Sequence, residues 1–191
     1  MKKALYIDCC LRKSSNTKEL ANAFLDELKG YDVKHLVLEN ENLKPLVGEF
    51  YEEREEILAK GELDHPRFRY AHEFAEADLI IVAAPFWDLC FPSLFKIYIE
   101  NICVDRITFD SSAKGLTGLC KAENLVYLVT RGGIYNDQNE LAIPFFKEMN
   151  KFFGIKNFHC VAADGMNIYG FEAKKSLEDA KQEARQLAKT L

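Results

Sequence analysis

Residues Leu79 to Tyr98 read LIIVAAPFWDLCFPSLFKIY. The apolar run from Leu79 to Ala83 predicts an inner strand of a parallel sheet, and Pro85, which has no amide to offer a ladder, ends it. Phe86, Trp87, Asp88 and Leu89 then fall at a strand's carboxyl end, ahead of an amphipathic helix opening near Pro92 and Ser93. Ligands of open α/β sheets bind along that edge, and two aromatics beside an acid suit a flat, partly polar ring. An aromatic loop can equally cap a core. Other loops must decide.

Working outward, apolar runs alternate with amphipathic stretches, the pattern of a parallel sheet with helices on both faces. Strands are expected over residues 3–9, 33–38, 79–84, 124–130 and 157–163. Helices are expected over 16–29, near 66–77, and over 93–103, 139–153 and 172–189. Two stretches break this rhythm. Residues 39–65 are rich in Glu and carry Pro45 and Gly48, which reads as a solvated helix and connector. Residues 105–121 contain Gly115 and Gly118 and are long for a connection in a compact domain, which suggests a lid over a site.

The 191 residues, 48% of them hydrophobic, form one domain spanning 1–191. A net charge of −5 argues against a nucleic-acid or membrane-surface binder, which needs a clustered positive field. No run approaches the ~20 apolar residues of a membrane span, so no membrane insertion is expected. The six cysteines, at 9, 10, 90, 103, 120 and 160, lack CxxC spacing and read as reduced, mostly buried thiols of a cytoplasmic protein. His35, His65, His72 and His159 are dispersed, without metal-ligand spacing, and no metal is expected. No GxSxG elbow supports a serine hydrolase. Phe145, Phe146, Phe152 and Phe153 fall at helical spacing and suit core or dimer packing.

After the first strand the chain reads Cys9-Cys10-Leu11-Arg12-Lys13-Ser14-Ser15-Asn16-Thr17 and enters a helix. Asn16 with Glu19 three residues on makes a capping box that would start any helix. A phosphate needs the same groups, namely free amides at a helix N-terminus and the hydroxyls of Ser14, Ser15 and Thr17. The segment has no glycine, which excludes both GxGxxG and the Walker loop. A mononucleotide phosphate held by dipole and hydrogen bonds fits it better. The fourth strand ends in Thr130-Arg131-Gly132-Gly133-Ile134-Tyr135, where paired glycines form a turn or let backbone amides approach a ligand that a Cβ would exclude. The polar edge of a flavin needs such close donors and acceptors.

Residues Pro85-Phe86-Trp87-Asp88-Leu89, Pro92 to Ile99, Thr108-Phe109 and Thr130-Arg131-Gly132-Gly133 together resemble the FMN-dependent NADH:quinone oxidoreductase and azoreductase family. The resemblance covers most of the chain and is weakest between residues 39 and 74. It implies a flavodoxin-like three-layer α/β sandwich, a five-stranded parallel sheet ordered 2-1-3-4-5, a homodimer, and FMN at the sheet's carboxyl edge with partner residues completing the pocket. By the same resemblance Cys10, Ser14, Ser15 and Asn16 surround the phosphate, Phe86 to Leu89 line the ring and ribityl chain, and Thr130 to Gly133 hold the flavin's polar edge. Relatives usually carry Ser where this chain has Cys10, and Asn where it has Asp88.

The function so implied is reduction of a small aromatic acceptor, a quinone, azo compound or nitroaromatic, with NADH or NADPH as co-substrate and ping-pong two-electron transfer. The flavin carries such chemistry, so no catalytic side chain is required. Phe86, Trp87 and a lid containing Phe109 would position the acceptor. A flavodoxin-type electron carrier serving a protein partner is the alternative, and a cofactor-free scaffold is a third reading.

Overall fold

The computed structural model describes residues 1–113, 115–135 and 140–191. In chain order the elements are β1 (Lys2–Asp8), α1 (Asn16–Glu27), β2 (Tyr31–Val37), α2 (Gly48–Ala59), α3 (Arg69–Glu76), β3 (Leu79–Ala83), α4 (Ser93–Ile102), β4 (Phe109–Ser112), β5 (Gly115–Gly118), β6 (Asn124–Thr130), α5 (Ala142–Phe153), β7 (Asn157–Ala163) and α6 (Ala173–Ala188). A parallel sheet runs β2-β1-β3-β6-β7, and β4 pairs antiparallel with β5. Counting only the parallel strands, this is the expected 2-1-3-4-5. Every expected strand and helix of the rhythm forms within three residues of its expected ends. Residue 139, the expected start of the fourth helix, lies outside the described residues.

The strands build two cores because successive side chains point to opposite faces. Leu79, Ile81 and Ala83 join Tyr6, Val126 and Leu128 beneath α1 and α6. Ile80 and Val82 join Leu5, Ile7, Leu125, Tyr127 and Val129 beneath α3, α4 and α5, where Phe95, Phe146 and Phe153 complete the packing. Such continuous apolar strands are what a sheet covered on both faces requires. The chain leaves β1 towards β2 on one side and returns to β3 on the other. The loops after β1 and β3 therefore part and leave a crevice at the carboxyl edge.

The Glu-rich stretch behaves as expected: none of the residues of α2 is buried. The second irregular stretch requires a correction. Residues 105–121 hold the β4–β5 hairpin, and this hairpin lies at the amino edge of the sheet. The reason is directional, since α4 runs antiparallel to the strands and delivers the chain to the edge opposite the crevice. Phe109 packs on Phe152 near the end of α5, ring centroids 4.7 Å apart, and the Cys120 amide donates to the Phe153 carbonyl. Phe109 is no lid over its own chain's pocket.

Candidate functional site

The loop after β1 and the first turn of α1 form one wall of the crevice. The helix cap is Ser15, one residue before the expected Asn16: its Oγ accepts the Lys18 amide at 3.2 Å. The Asn16 side chain turns instead across the loop to Met166, Nδ2 to Sδ 3.4 Å. Helical bonding begins with the Glu19 amide on the Ser15 carbonyl, so the amides of Asn16 and Thr17 precede any intrahelical acceptor. As a cap, the Ser15 oxygen accepts, and its own proton remains to be donated. Buried Thr17 meets Thr130 at the end of β6, Oγ1 to Oγ1 2.6 Å, which fixes the helix N-terminus against the neighbouring strand end.

The loop after β3 supplies the opposite wall. Trp87 and Cys90 exchange two backbone hydrogen bonds, each 2.9 Å, around a two-residue turn in which Asp88 and Leu89 both have positive φ, 49° and 70°. That handedness suits a tight hairpin turn but is unfavourable for a residue as bulky as leucine. The Leu141 amide donates to the Leu89 carbonyl at 3.1 Å, anchoring the turn to the start of α5. Phe86 packs on Tyr135, centroids 4.3 Å apart, and the Arg12 guanidinium lies 5.8 Å from the centre of the Trp87 ring.

Between these walls, the loop after β6 is braced by the loop after β7. The carbonyls of Arg131, Gly132 and Gly133 accept the amides of Met166, Asn167 and Gly165. Among the described residues the amides of Gly132 and Gly133 have no acceptor. The glycines are needed for the protein's own packing: a Cβ on Gly132 would stand 2.8 Å from Asn167 Nδ2, and one on Gly133 3.1 Å from the Tyr135 ring. Arg131 is buried, bonded through Nη1 to Asp164 at 3.2 Å, while its Nε has no partner.

Two adjoining cavities result. The inner one, about 140 Å³, is lined by Ser14, Ser15, Asn16, Thr17, Thr130 and Arg131 among others, with no carboxylate. The outer one, about 580 Å³, is lined by Phe86, Trp87, Asp88, Leu89 and Tyr135 among others, and Arg12, Gly132 and Asn167 line both. Pro85 belongs to the inner lining.

Two expected site residues do not line either cavity. Gly133 stays behind Tyr135. Cys10 turns inward, its Sγ 3.7 Å from the Ala83 carbonyl, and burial together with neighbouring Asp8 pushes its thiol well above the ordinary range. Cys9 is buried on the other face and pushed up to about 12 by burial. The expectation that one of the pair faces the loop is corrected, because both sides of the sheet are covered here. Cys90, Cys103, Cys120 and Cys160 are half-buried and all six cysteines are free thiols, so fewer are fully buried than composition suggested.

Sequence reasoning missed Leu11, Arg12, Tyr135, Met166 and Asn167 as lining residues. Met166 and Asn167 had a usable signal, since they follow Asp164-Gly165 at a strand's carboxyl end. Arg12 had none beyond its place in the loop.

A flavin mononucleotide fits these residues. Amides, hydroxyls and arginines without a carboxylate suit a phosphate, an aromatic slot adjoins them, and the orphaned Arg131 Nε and the glycine amides are donors in want of an acceptor. A mononucleotide cradle of this kind, at the switch point of a five-stranded parallel sheet, defines the flavodoxin class of α/β proteins. The comparisons agree. The flavodoxin-like fold family matches residues 2–188. FMN-dependent NADH:quinone oxidoreductase 2 of Clostridium acetobutylicum is 31% identical over 198 residues, covering 99% of both chains. An FMN-dependent NADH:quinone oxidoreductase of Coprothermobacter proteolyticus is 34% identical over 202 residues, again covering 99% of both. The structure of an azoreductase from Bacillus anthracis str. Sterne superposes with a TM-score of 0.88 at 25% identity over the whole of both chains. An FMN-dependent NADH-azoreductase from Bacillus anthracis str. Ames Ancestor, solved in complex with FMN, shares the fold at 20% identity, with a TM-score of 0.86 over 100% of this chain and 99% of that one. The chain belongs to the flavodoxin-like family that contains the FMN-dependent NADH:quinone oxidoreductases.

Proposed function

We propose that this chain is an FMN-dependent NAD(P)H oxidoreductase that reduces quinones, azo compounds or nitroaromatics. The observation that carries the reading is the junction of an anion cradle with an aromatic slot at one sheet edge. Bound FMN would supply the group that takes hydride from a nicotinamide and passes two electrons on. Ser14, Ser15 and the amides of Asn16 and Thr17 would donate to its phosphate, with Thr17 and Thr130 holding the helix in place. Phe86, Trp87, Asp88 and Leu89 would flank the ring, and Gly132 would present its amide to the ring's polar edge, with Arg131 beneath. Leu11, Arg12, Met166 and Asn167 would close the rim. Cys10 is withdrawn from the phosphate set, because its thiol points into the core.

The pocket opens on one side, so a nicotinamide and an aromatic acceptor would occupy the same face in turn. Two measurements on the purified protein test this. Heat should release one FMN per chain and no FAD, and NADH or NADPH should bleach the bound flavin anaerobically. Initial rates with varied NADH and quinone should then give parallel reciprocal plots. Stoichiometric FAD, or protein unable to hold micromolar FMN, would overturn the site assignment; intersecting plots would overturn the alternating mechanism.

A further inference from the structure

Behind the phosphate loop lies a carboxylate that the proposed reaction does not use. Asp8 ends β1, paired in register with Val37 on one side and Ala83 on the other, and is 1% exposed. Its Oδ1 accepts the Cys10 amide at 2.9 Å, and its Oδ2 lies 3.1 Å from Lys18 Nζ and 3.1 Å from His35 Nε2. Burial disfavours its charge, yet the Cys10 amide, Lys18 and His35 together hold the carboxyl below its ordinary range.

We propose that Asp8 is the positioning residue of the phosphate loop. This rests on the reading of the site as an FMN pocket. Two of the three Asp8 partners stand at the two ends of the loop: Cys10 where the chain leaves the strand, Lys18 in the first turn of α1. The bond to the Cys10 amide is an aspartate turn, side-chain oxygen to the amide two residues on, and it bends the chain sharply as it leaves the sheet. Between those ends the recorded side-chain ties are few: Ser15 to the Lys18 amide, Thr17 to Thr130 and Asn16 to Met166. A negative charge is the wrong sign behind an anion cradle. What Asp8 contributes is therefore geometry, and Lys18 offsets its charge. Lys18 in turn stands where the helix dipole disfavours a cation, so its pairing with Asp8 settles both. The alternative, that Asp8 only ties β1 to β2 through His35, predicts no preference between flavins with and without a phosphate.

The test follows flavin fluorescence as full-length protein, loaded with FMN or with riboflavin, is diluted and releases its ligand. Asp8→Ala should raise the FMN dissociation constant about tenfold while moving that of riboflavin less than about twofold. Asp8→Asn keeps an oxygen that can accept the Cys10 amide and should hold FMN within about threefold of the parent chain. Should Asp8→Ala fail to fold, Asp8→Gln, with its amide one methylene further out, makes the same comparison. Equal losses for both flavins, an Asp8→Asn variant as weak as Asp8→Ala, or unchanged FMN affinity in Asp8→Ala would each overturn the proposal. Failure of the parent chain to bind FMN would instead overturn the reading of the site.

Discussion

At the residue scale, Asp88 is where this chain departs most sharply from the pattern of its relatives, and the structure gives the departure a setting. Its backbone is fixed by the Trp87–Cys90 hydrogen bonds, and its exposed carboxylate borders the outer cavity beside Trp87 and Tyr135. Asparagine tolerates the positive φ of that position at least as well as aspartate, so Asp88→Asn should leave the turn intact and remove only the charge. A nearby negative charge disfavours electron uptake by a bound flavin, although solvent screens an exposed one. The two-electron midpoint potential of Asp88→Asn should therefore rise by about 10 to 20 mV, from a screened interaction below about 1 kcal/mol. Redox titration of both proteins checks this. An unchanged potential with unchanged FMN affinity would reduce Asp88 to a backbone position.

At the element scale, the β4–β5 hairpin shows how a connection that lacks an apolar rhythm still acquires a fixed place. Gly118 lies so close to the end of α5 that a Cβ would stand 2.0 Å from the Phe153 carbonyl carbon and 2.1 Å from the Gly154 amide nitrogen. Backbone cannot yield as a side chain can, so Gly118→Ala must push the hairpin off the helix. The Cys120–Phe153 hydrogen bond and the Phe109–Phe152 contact are loosened with it. Overpacking of this kind costs about 1 to 3 kcal/mol. Chemical denaturation should show a lower midpoint for Gly118→Ala. FMN affinity should change little, because the hairpin and the cavities lie at opposite edges of the sheet. Equal stability of the two proteins would mean that the hairpin is not held as described.

At the scale of the whole molecule, the same separation bears on assembly. Leu89, Ile134, Leu141 and Tyr169 are exposed apolar side chains, and Leu89, 52% exposed, borders the outer cavity. A second apolar surface, around Leu116, Phe145, Met149 and Phe152, opens between the hairpin and α5. We propose that the chain works as a homodimer, as its resemblance to the family implies, and that Phe109 meets an acceptor only across such a dimer. Light scattering at micromolar concentration should give twice the 21.9 kDa chain mass, consistent with an interface above roughly 1,200 Å². A monomer mass with full quinone reductase activity would contradict this.

The sequence by itself determined what depends on local pattern. The apolar runs fixed the five parallel strands, Pro85 fixed where the third ends, and the Glu-rich composition marked α2 as a solvated helix. The hydroxyls of Ser14, Ser15 and Thr17 were legible as a phosphate loop because a helix N-terminus advertises its need for acceptors within a few residues. Tertiary structure decided what depends on distant residues meeting. The cap fell on Ser15, with Asn16 drawn away towards Met166, 150 positions along the chain. Cys10 was turned into the core by helices packed on both faces. Arg12, Tyr135 and Asn167 became cavity walls only because strand order brought the loops after β1, β3, β6 and β7 to one edge. Asp8, which reads in the sequence as a polar interruption of an apolar strand, acquired its partners Lys18 and His35 only when β2 and α1 came to lie on either side of it. Periodicity is a property of neighbours along the chain. A site is a property of neighbours in space, set by the winding of the sheet.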